Sequence, residues 1–240
     1  MRTIVYPVSR VYYKKVLPSV KSFLVNSDAD QIILTIEDDT FPEDLPECVK
    51  TINVRGQNYF SPYGMNYSRT PYVYLCMLRV AYADMFPDLD KVLALDADTI
   101  CIRDIGSELW DLDLGENHFA GVPEVKISNW RGKPYANMGM ALFDLIRIRH
   151  DDLQTKMIYA LENYSYQWLE QDCINEHLRM LPISADYNQS QFTEHTENPK
   201  IMHYAYTQNW EQLDEVRKYQ LMTWGVVMDR WRERHESSNS

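Results

Sequence analysis

The sequence predicts an α/β fold, a mainly parallel sheet covered by helices on both faces. Three observations point there. Short runs rich in Val, Ile and Leu alternate with longer stretches of helical spacing in the first hundred residues, a β-α-β-α-β order. The apolar strand Lys91-Val-Leu-Ala-Leu95 stops at an acidic cluster, Asp96-Ala-Asp98, and open α/β sheets bind ligands at such carboxyl ends. No internal repeat and no low-complexity linker interrupts the 240 residues, enough chain for one large core.

The elements follow in order. Thr3–Val8 reads as a strand, with Pro7 marking its end or an edge. Val11–Asn26 has apolar residues at helical spacing. Gln31–Ile36 is a second strand and Cys48–Val54 a weaker third. Pro71–Met85 reads as a helix with proline in its first turn. Lys91–Leu95, Phe119–Pro123 and Gly139–Phe143 read as further strands. Asp151–Asn163 and Trp168–Met180 read as helices, and Lys200–Tyr204 as a late strand. Glu211–Arg234 is an amphipathic helix, expected to pack on the domain or on a second copy, as in a homodimer. The tail His235–Ser240 has no reason to fold. The expected division is a main domain over 1–210 and a C-terminal helix with a disordered tail over 211–240.

Composition excludes several classes. The hydrophobic and charged fractions, 45% and 25%, are those of a globular protein, not a disordered or fibrous one. Twenty-four basic against 35 acidic residues leave a net charge of -11, which repels a nucleic-acid backbone. A small anionic ligand would need local help such as a metal ion. Cys48, Cys76, Cys101 and Cys173 lack CxxC spacing, so reduced, mostly buried thiols are expected. The N-terminal apolar run is too short for a signal peptide, and no run approaches the ~20 residues of a membrane span. A cytoplasmic location follows as the expectation. The sequons at Asn66, Asn163 and Asn188 are then chance matches. No GxGxxG and no GxxxxGK[ST] occurs, so a nucleotide would be bound without those phosphate cradles.

Four pieces could carry chemistry. Asp96 and Asp98, at i and i+2 after a strand, lie on one side of an extended chain and offer hard oxygens to Mg²⁺ or Mn²⁺. An acidic turn is the plainer reading. His203, ending a late strand, could complete a metal site or be structural. Asn137 could hold a sugar hydroxyl by donor and acceptor, or sit in a turn. Glu170-Gln171-Asp172 could face a reacting carbon or cap a helix.

Their order resembles glycosyltransferase family 8, retaining enzymes of the GT-A fold that include bacterial galactosyltransferases and glycogenin. Met77-Leu-Arg79 through Lys91-Val-Leu-Ala-Leu-Asp96-Ala-Asp98 is similar to the family's arginine helix and "DKVLYLDAD" strand. Ala136-Asn137-Met-Gly139 resembles "NAGVLLINL", and Gln171-Asp172-Cys-Ile-Asn175 resembles "QDILN". Leu181-Pro182 through Tyr187-Asn188 resembles "LP…WN", and His203-Tyr204 to Trp210 resembles "HY…KPW". The resemblance covers residues 2–210.

The resemblance implies a donor, an acceptor and roles. The donor is a nucleotide-diphosphate sugar, UDP-glucose or UDP-galactose, and the acceptor a carbohydrate or other hydroxyl. Asp96, Asp98 and His203 would hold Mn²⁺, with Mg²⁺ as the alternative. Asp96, Arg79 and Asn137 would contact the donor, and Tyr12 or Tyr13 would stack on its base. Gln171 would lie near the anomeric carbon, Glu170 at the donor sugar, and Asp172 would support that loop. Two departures stand out. Ser9-Arg10-Val11-Tyr12-Tyr13 lacks the acidic residue that reads uracil, and Tyr204-Ala-Tyr-Thr-Gln208-Asn209-Trp210 lacks the closing glycine and lysine. Arg131 or Lys133 could replace that cation, or simply be surface charge. The alternatives are a degenerate nucleotide- or sugar-binding protein, a sugar nucleotidyltransferase, or a lectin surface built from the many aromatics.

Overall fold

The computed structural model describes residues 1–60, 74–127 and 130–237. Strands β1 (Thr3–Pro7), β2 (Gln31–Ile36) and β3 (Val49–Asn53) are joined through helix α1 (Leu17–Asn26) and loops. Two short helices, α2 (Tyr74–Met77) and α3 (Tyr82–Met85), precede β4 (Lys91–Leu95). Then come β5 (Thr99–Cys101), β6 (Phe119–Pro123), β7 (Ala136–Asp144), α4 (Leu145–His150), α5 (Leu153–Asn163) and α6 (Leu169–His177). β8 (Met180–Pro182), β9 (Ile201–His203), α7 (Asp214–Leu221) and α8 (Trp224–Ser237) complete the chain.

Seven strands form one sheet in the order β3-β2-β1-β4-β7-β6-β8. Only β7 runs against its neighbours; the other pairings are parallel. β5 and β9 pair antiparallel as a separate ribbon. The sheet is buried on both faces, and strand alternation divides its side chains. Ile4, Tyr6, Leu93 and Leu95 face a core shared with Phe23, Tyr204, Val216, Tyr219 and Val227. Val5, Val92 and Ala94 face the other way, onto Leu75, Leu78, Tyr82, Leu161 and Ile174. The expected α/β architecture, with helices on both faces, is the one observed.

Several boundaries differ, each for a physical reason. The helix expected over Val11–Asn26 starts only at Leu17. Pro18 suits only a first turn, so the chain before it forms a 3-10 turn, Arg10–Tyr12. Pro7 ends β1, which is nevertheless an inner strand. The described part of the Pro71–Met85 helix is broken by a 3-10 segment at Leu78–Ala81; residues 71–73 lie outside the described residues, as does the sequon Asn66–Ser68. The Gly139–Phe143 strand is longer and antiparallel. Trp168–Met180 ends as a helix at His177, and Met180 begins β8. The short β5 and β8 and the helix α4 were not expected. The C-terminal helix is split at Met222-Thr223, and its second half continues through His235 to Ser237, into the stretch expected to be disordered. Asn188 is fully buried, so its sequon is closed to modification in the folded chain.

The C-terminal helices pack on α1. Tyr219 of α7 is 1% exposed. Its hydroxyl donates to Cys101 O (3.0 Å) and accepts from Asn26 Nδ2 (2.7 Å), tying α7 to α1 and β5. The four cysteines are free thiols. Among the described residues no helix is long and apolar enough to cross a membrane. Urea unfolding should show Tyr219→Ala losing about 3–5 kcal/mol by cavity formation, and Tyr219→Phe about 1 kcal/mol for the hydrogen bonds alone. Equal, negligible losses would mean that α7 is not part of the cooperative core.

Candidate active site

The site lies at the carboxyl end of β4, where Asp96 leaves the sheet. Its N–H donates to Gly139 O of β7 (3.0 Å), and Thr99 N and Oγ1 donate back to Asp96 O (3.2 and 2.8 Å). That turn, rather than an extended chain, brings Asp98 beside Asp96. The β5–β9 ribbon supplies the third member, because Thr99 pairs with His203. Tyr204 N also donates to Asp98 O (3.0 Å). His203 Nε2 lies 3.5 Å from Asp96 Oδ2 and 3.4 Å from Asp98 Oδ1. One donor atom from each of the three residues falls within 4.8 Å of the others.

This set fits a divalent ion. Two carboxylate oxygens and one imidazole nitrogen converge, a mixture that suits Mn²⁺ and, with its harder preference, Mg²⁺. The imidazole is buried against Gly139, where a Cβ would lie 2.1 Å from His203 Cε1 and Nδ1. Only glycine leaves room for the ring. Burial pulls the His203 pKa down, but Asp98, then Asp96, outweigh it and the net shift is upward. Burial raises that of Asp98, and His203 more than reverses this. A cation is thus favoured between the carboxylates.

Arg79 forms the floor. Its side chain is 1% exposed, ion-pairs with Asp96, lies 3.5 Å from Glu170 Oε1 and donates Nη1 to Met138 O (3.0 Å). Burial disfavours the charged guanidinium, and Asp96 and Glu170 more than restore it. Leu169, with φ at 44°, turns the chain into the site just before Glu170, a strained conformation for leucine. Burial pushes the Glu170 carboxyl up to about 7, against the pull of Arg79.

A second polar cluster adjoins this floor, and its centre, Glu124, was missed in the sequence. Glu124 Oε1 accepts from Asn137 Nδ2 (2.8 Å) and Gln171 Nε2 (3.2 Å). Gln171 Oε1 accepts from Met138 N (2.9 Å), and its Nε2 also donates to Tyr135 Oη (3.1 Å). Asn137 Oδ1 accepts from Gly139 N (2.9 Å) and Asn188 Nδ2 (3.0 Å). Asp172 accepts from Tyr135 Oη (2.6 Å) and Trp168 N (2.9 Å). Asn137 and Gln171 therefore spend their amides on positioning Glu124 and β7. A signal for Glu124 existed: like Asp96, it is a carboxylate directly after a buried apolar strand, Phe119–Pro123.

A bulge in β7 joins the two clusters. Gly121 pairs with Ala141, yet Val122 pairs with Asn137. Residues 138–140 thus stand out of the β6 ladder, and their backbone serves Arg79, Asp96 and Gln171 at once.

The remaining expected residues separate. Tyr12, 38% exposed, feels the charges of Asp98 and Asp96. Tyr13 is 6% exposed, donates its hydroxyl to Asp38 Oδ2 (2.9 Å) and packs on Phe41. Arg131 pairs with the Glu176 carboxylate, and Lys133 donates to the Glu176 carbonyl.

Residues 3–212 match the profile of Glycosyl transferase family 8, and the chain belongs to that family. A search of curated proteins finds no match. Among solved structures, the WbbM bifunctional glycosyltransferase superposes with a TM-score of 0.71 at 14% identity, over 96% of this chain and 51% of that one. GlyE of Streptococcus pneumoniae TIGR4 gives 0.70 at 21%, over 98% and 64%. The galactosyltransferase LgtC, in complex with donor and acceptor sugar analogs, gives 0.69 at 17%, over 95% and 99%. The chain thus spans about half of WbbM and under two thirds of GlyE. The shared fold is GT-A, the one the motifs implied.

Two outcomes follow from the geometry. Folded Glu170 holds its proton up to about 7, against 4.5 for the ordinary carboxyl. Its stabilising effect is full below about pH 4.5 and lost as pH rises through 7. In metal-free urea titrations, wild type should therefore lose up to about 3 kcal/mol relative to Glu170→Gln between pH 4.5 and 8; a pH-independent difference would contradict the buried acid. Gly139→Ala should displace His203 and weaken Mn²⁺ binding roughly tenfold or more in an electron-paramagnetic-resonance titration. Unchanged affinity would show that the ring does not need this contact.

Proposed function

We propose that this protein is a metal-dependent, retaining glycosyltransferase that moves a hexose from UDP-glucose or UDP-galactose to an acceptor hydroxyl. The observation that carries the reading is the convergence of Asp96, Asp98 and His203 beside the Glu124–Gln171 cluster, in a chain of this family. A Mn²⁺ held by those three residues, or Mg²⁺ in its place, would neutralise the donor's diphosphate and stabilise it as a leaving group.

The chain's own groups have distinct tasks. Tyr12 offers an exposed ring for the base. Arg79 is buried, pairs with Asp96 and donates to Met138 O, and so fixes the orientation of Asp96. Glu124 keeps both internal bonds on Oε1, which leaves Oε2 to accept a hydrogen bond from a hydroxyl of the donor or acceptor sugar. Gln171 presents a neutral amide at the floor, a poor nucleophile, so the resemblance's same-face path is favoured over double displacement. On that path the acceptor oxygen bonds to the anomeric carbon as the bond to phosphate breaks, and its proton passes to the departing diphosphate.

A second reading has one specific observation behind it. Tyr206, with φ at 57°, occupies the closing loop in a conformation that suits glycine, so a binding protein that has lost turnover remains the alternative. Incubating the purified chain with UDP-hexoses and Mn²⁺ separates the two. Asp98→Ala should stay folded by circular dichroism, while transfer or donor hydrolysis falls roughly a hundredfold or more. Near-normal turnover in that folded variant sinks the metal role. Binding without turnover in wild type favours the degenerate protein.

A further inference from the structure

A diphosphate beside Asp96 and Asp98 meets a strongly acidic surrounding. Glu170 lies 3.5 Å from the Arg79 that pairs with Asp96, Glu124 belongs to the adjoining cluster, and the whole chain carries -11. Arg79 is committed to Asp96, Glu170 and Met138 O beneath the site. The loop leaving His203, Tyr204 to Trp210, brings no basic residue. A cation must come from elsewhere.

Lys15 stands at that mouth. Its ammonium lies 2.6 Å from Glu211 Oε1 and 5.7 Å from the centre of the Tyr12 ring. Glu211 belongs to the 3-10 turn Trp210–Gln212, which ends the loop from His203. The ion pair therefore bridges the loop after β1 to the loop after β9. The Tyr12 hydroxyl feels both this pair and the carboxylates. Burial raises its hydroxyl pKa first, Asp98 adds to that, Lys15 opposes it, and Asp96 and Glu211 raise it further. The Lys15 side chain is 45% exposed and that of Glu211 25%. Exposed pairs of this kind contribute little to stability, and the long lysine stem can turn its ammonium to a new partner. A diphosphate presents more acceptor oxygens than one carboxylate.

We propose that Lys15 is the protein's diphosphate-binding cation, held ready by Glu211 and exchanged onto the donor when it binds. The proposal rests on the nucleotide-sugar reading above. It gives Lys15 and Glu211 opposite effects, which a merely structural strap would not.

The test is calorimetric affinity for UDP, GDP and ADP, each with Mn²⁺, the tightest binder being carried forward. Lys15→Gln should weaken its binding roughly tenfold or more, and Lys15→Arg should restore most of it. Glu211→Gln should bind equally well or more tightly, because its lysine is freed. Thermal melts of the ligand-free variants should coincide with wild type. If Lys15→Gln binds as wild type does, or if both single variants weaken binding alike, the assignment fails while the donor reading stands. If wild type binds none of the three nucleotides, the donor reading fails and takes the proposal with it.

Discussion

The imidazole of His203 lies flat against the backbone of Gly139, with no space for a Cβ between them. Much of the site depends on that contact. Gly139 belongs to the bulge in β7, and the same bulge offers Met138 O to Arg79, Gly139 O to Asp96 N–H, and Met138 N–H to Gln171. One short stretch of strand thus fixes a metal-type triad on one side and an amide–carboxylate cluster on the other. A regular ladder would have turned the Met138 N–H and O toward β6. Close-packed interiors transmit such contacts because they have little room to give.

Charge organises the site as strongly as packing does. A guanidinium as buried as that of Arg79 is tolerable only when paired and hydrogen-bonded. Asp96 and Glu170 meet that need, and in doing so their positions are set before any ligand arrives. The surplus of carboxylates then leaves the mouth negative. Such a surface rejects a bare diphosphate and accepts one accompanied by a divalent ion. Catalysis by fixed groups around developing charge requires this kind of prior order.

Much of this was legible in the sequence, and the rest was not for physical reasons. Asp96, Asp98 and His203 could be found because each ends an apolar run, and polar residues at strand ends stand out against a buried background. The turn that joins the two aspartates could not, since spacing alone does not distinguish it from extended chain. Glu124 sits at a strand end by the same rule, yet a lone glutamate after a proline carries no distinctive spacing. Tyr12 and Tyr13 are indistinguishable by type. Pro18 decides between them by delaying α1, so that Tyr12 stays on an exposed turn while Tyr13 turns inward to Asp38. The antiparallel course of β7 and the short β5 and β8 are tertiary facts; strands of three residues carry too little pattern to read. The Lys15–Glu211 pair joins residues almost two hundred positions apart and has no local signal at all.

The most direct test is a crystal grown with Mn²⁺ and UDP and measured at the manganese absorption edge. The account predicts an anomalous peak bounded by Asp96, Asp98 and His203, with diphosphate oxygens completing its coordination. A peak elsewhere, or bound nucleotide with no peak between these three side chains, would contradict it.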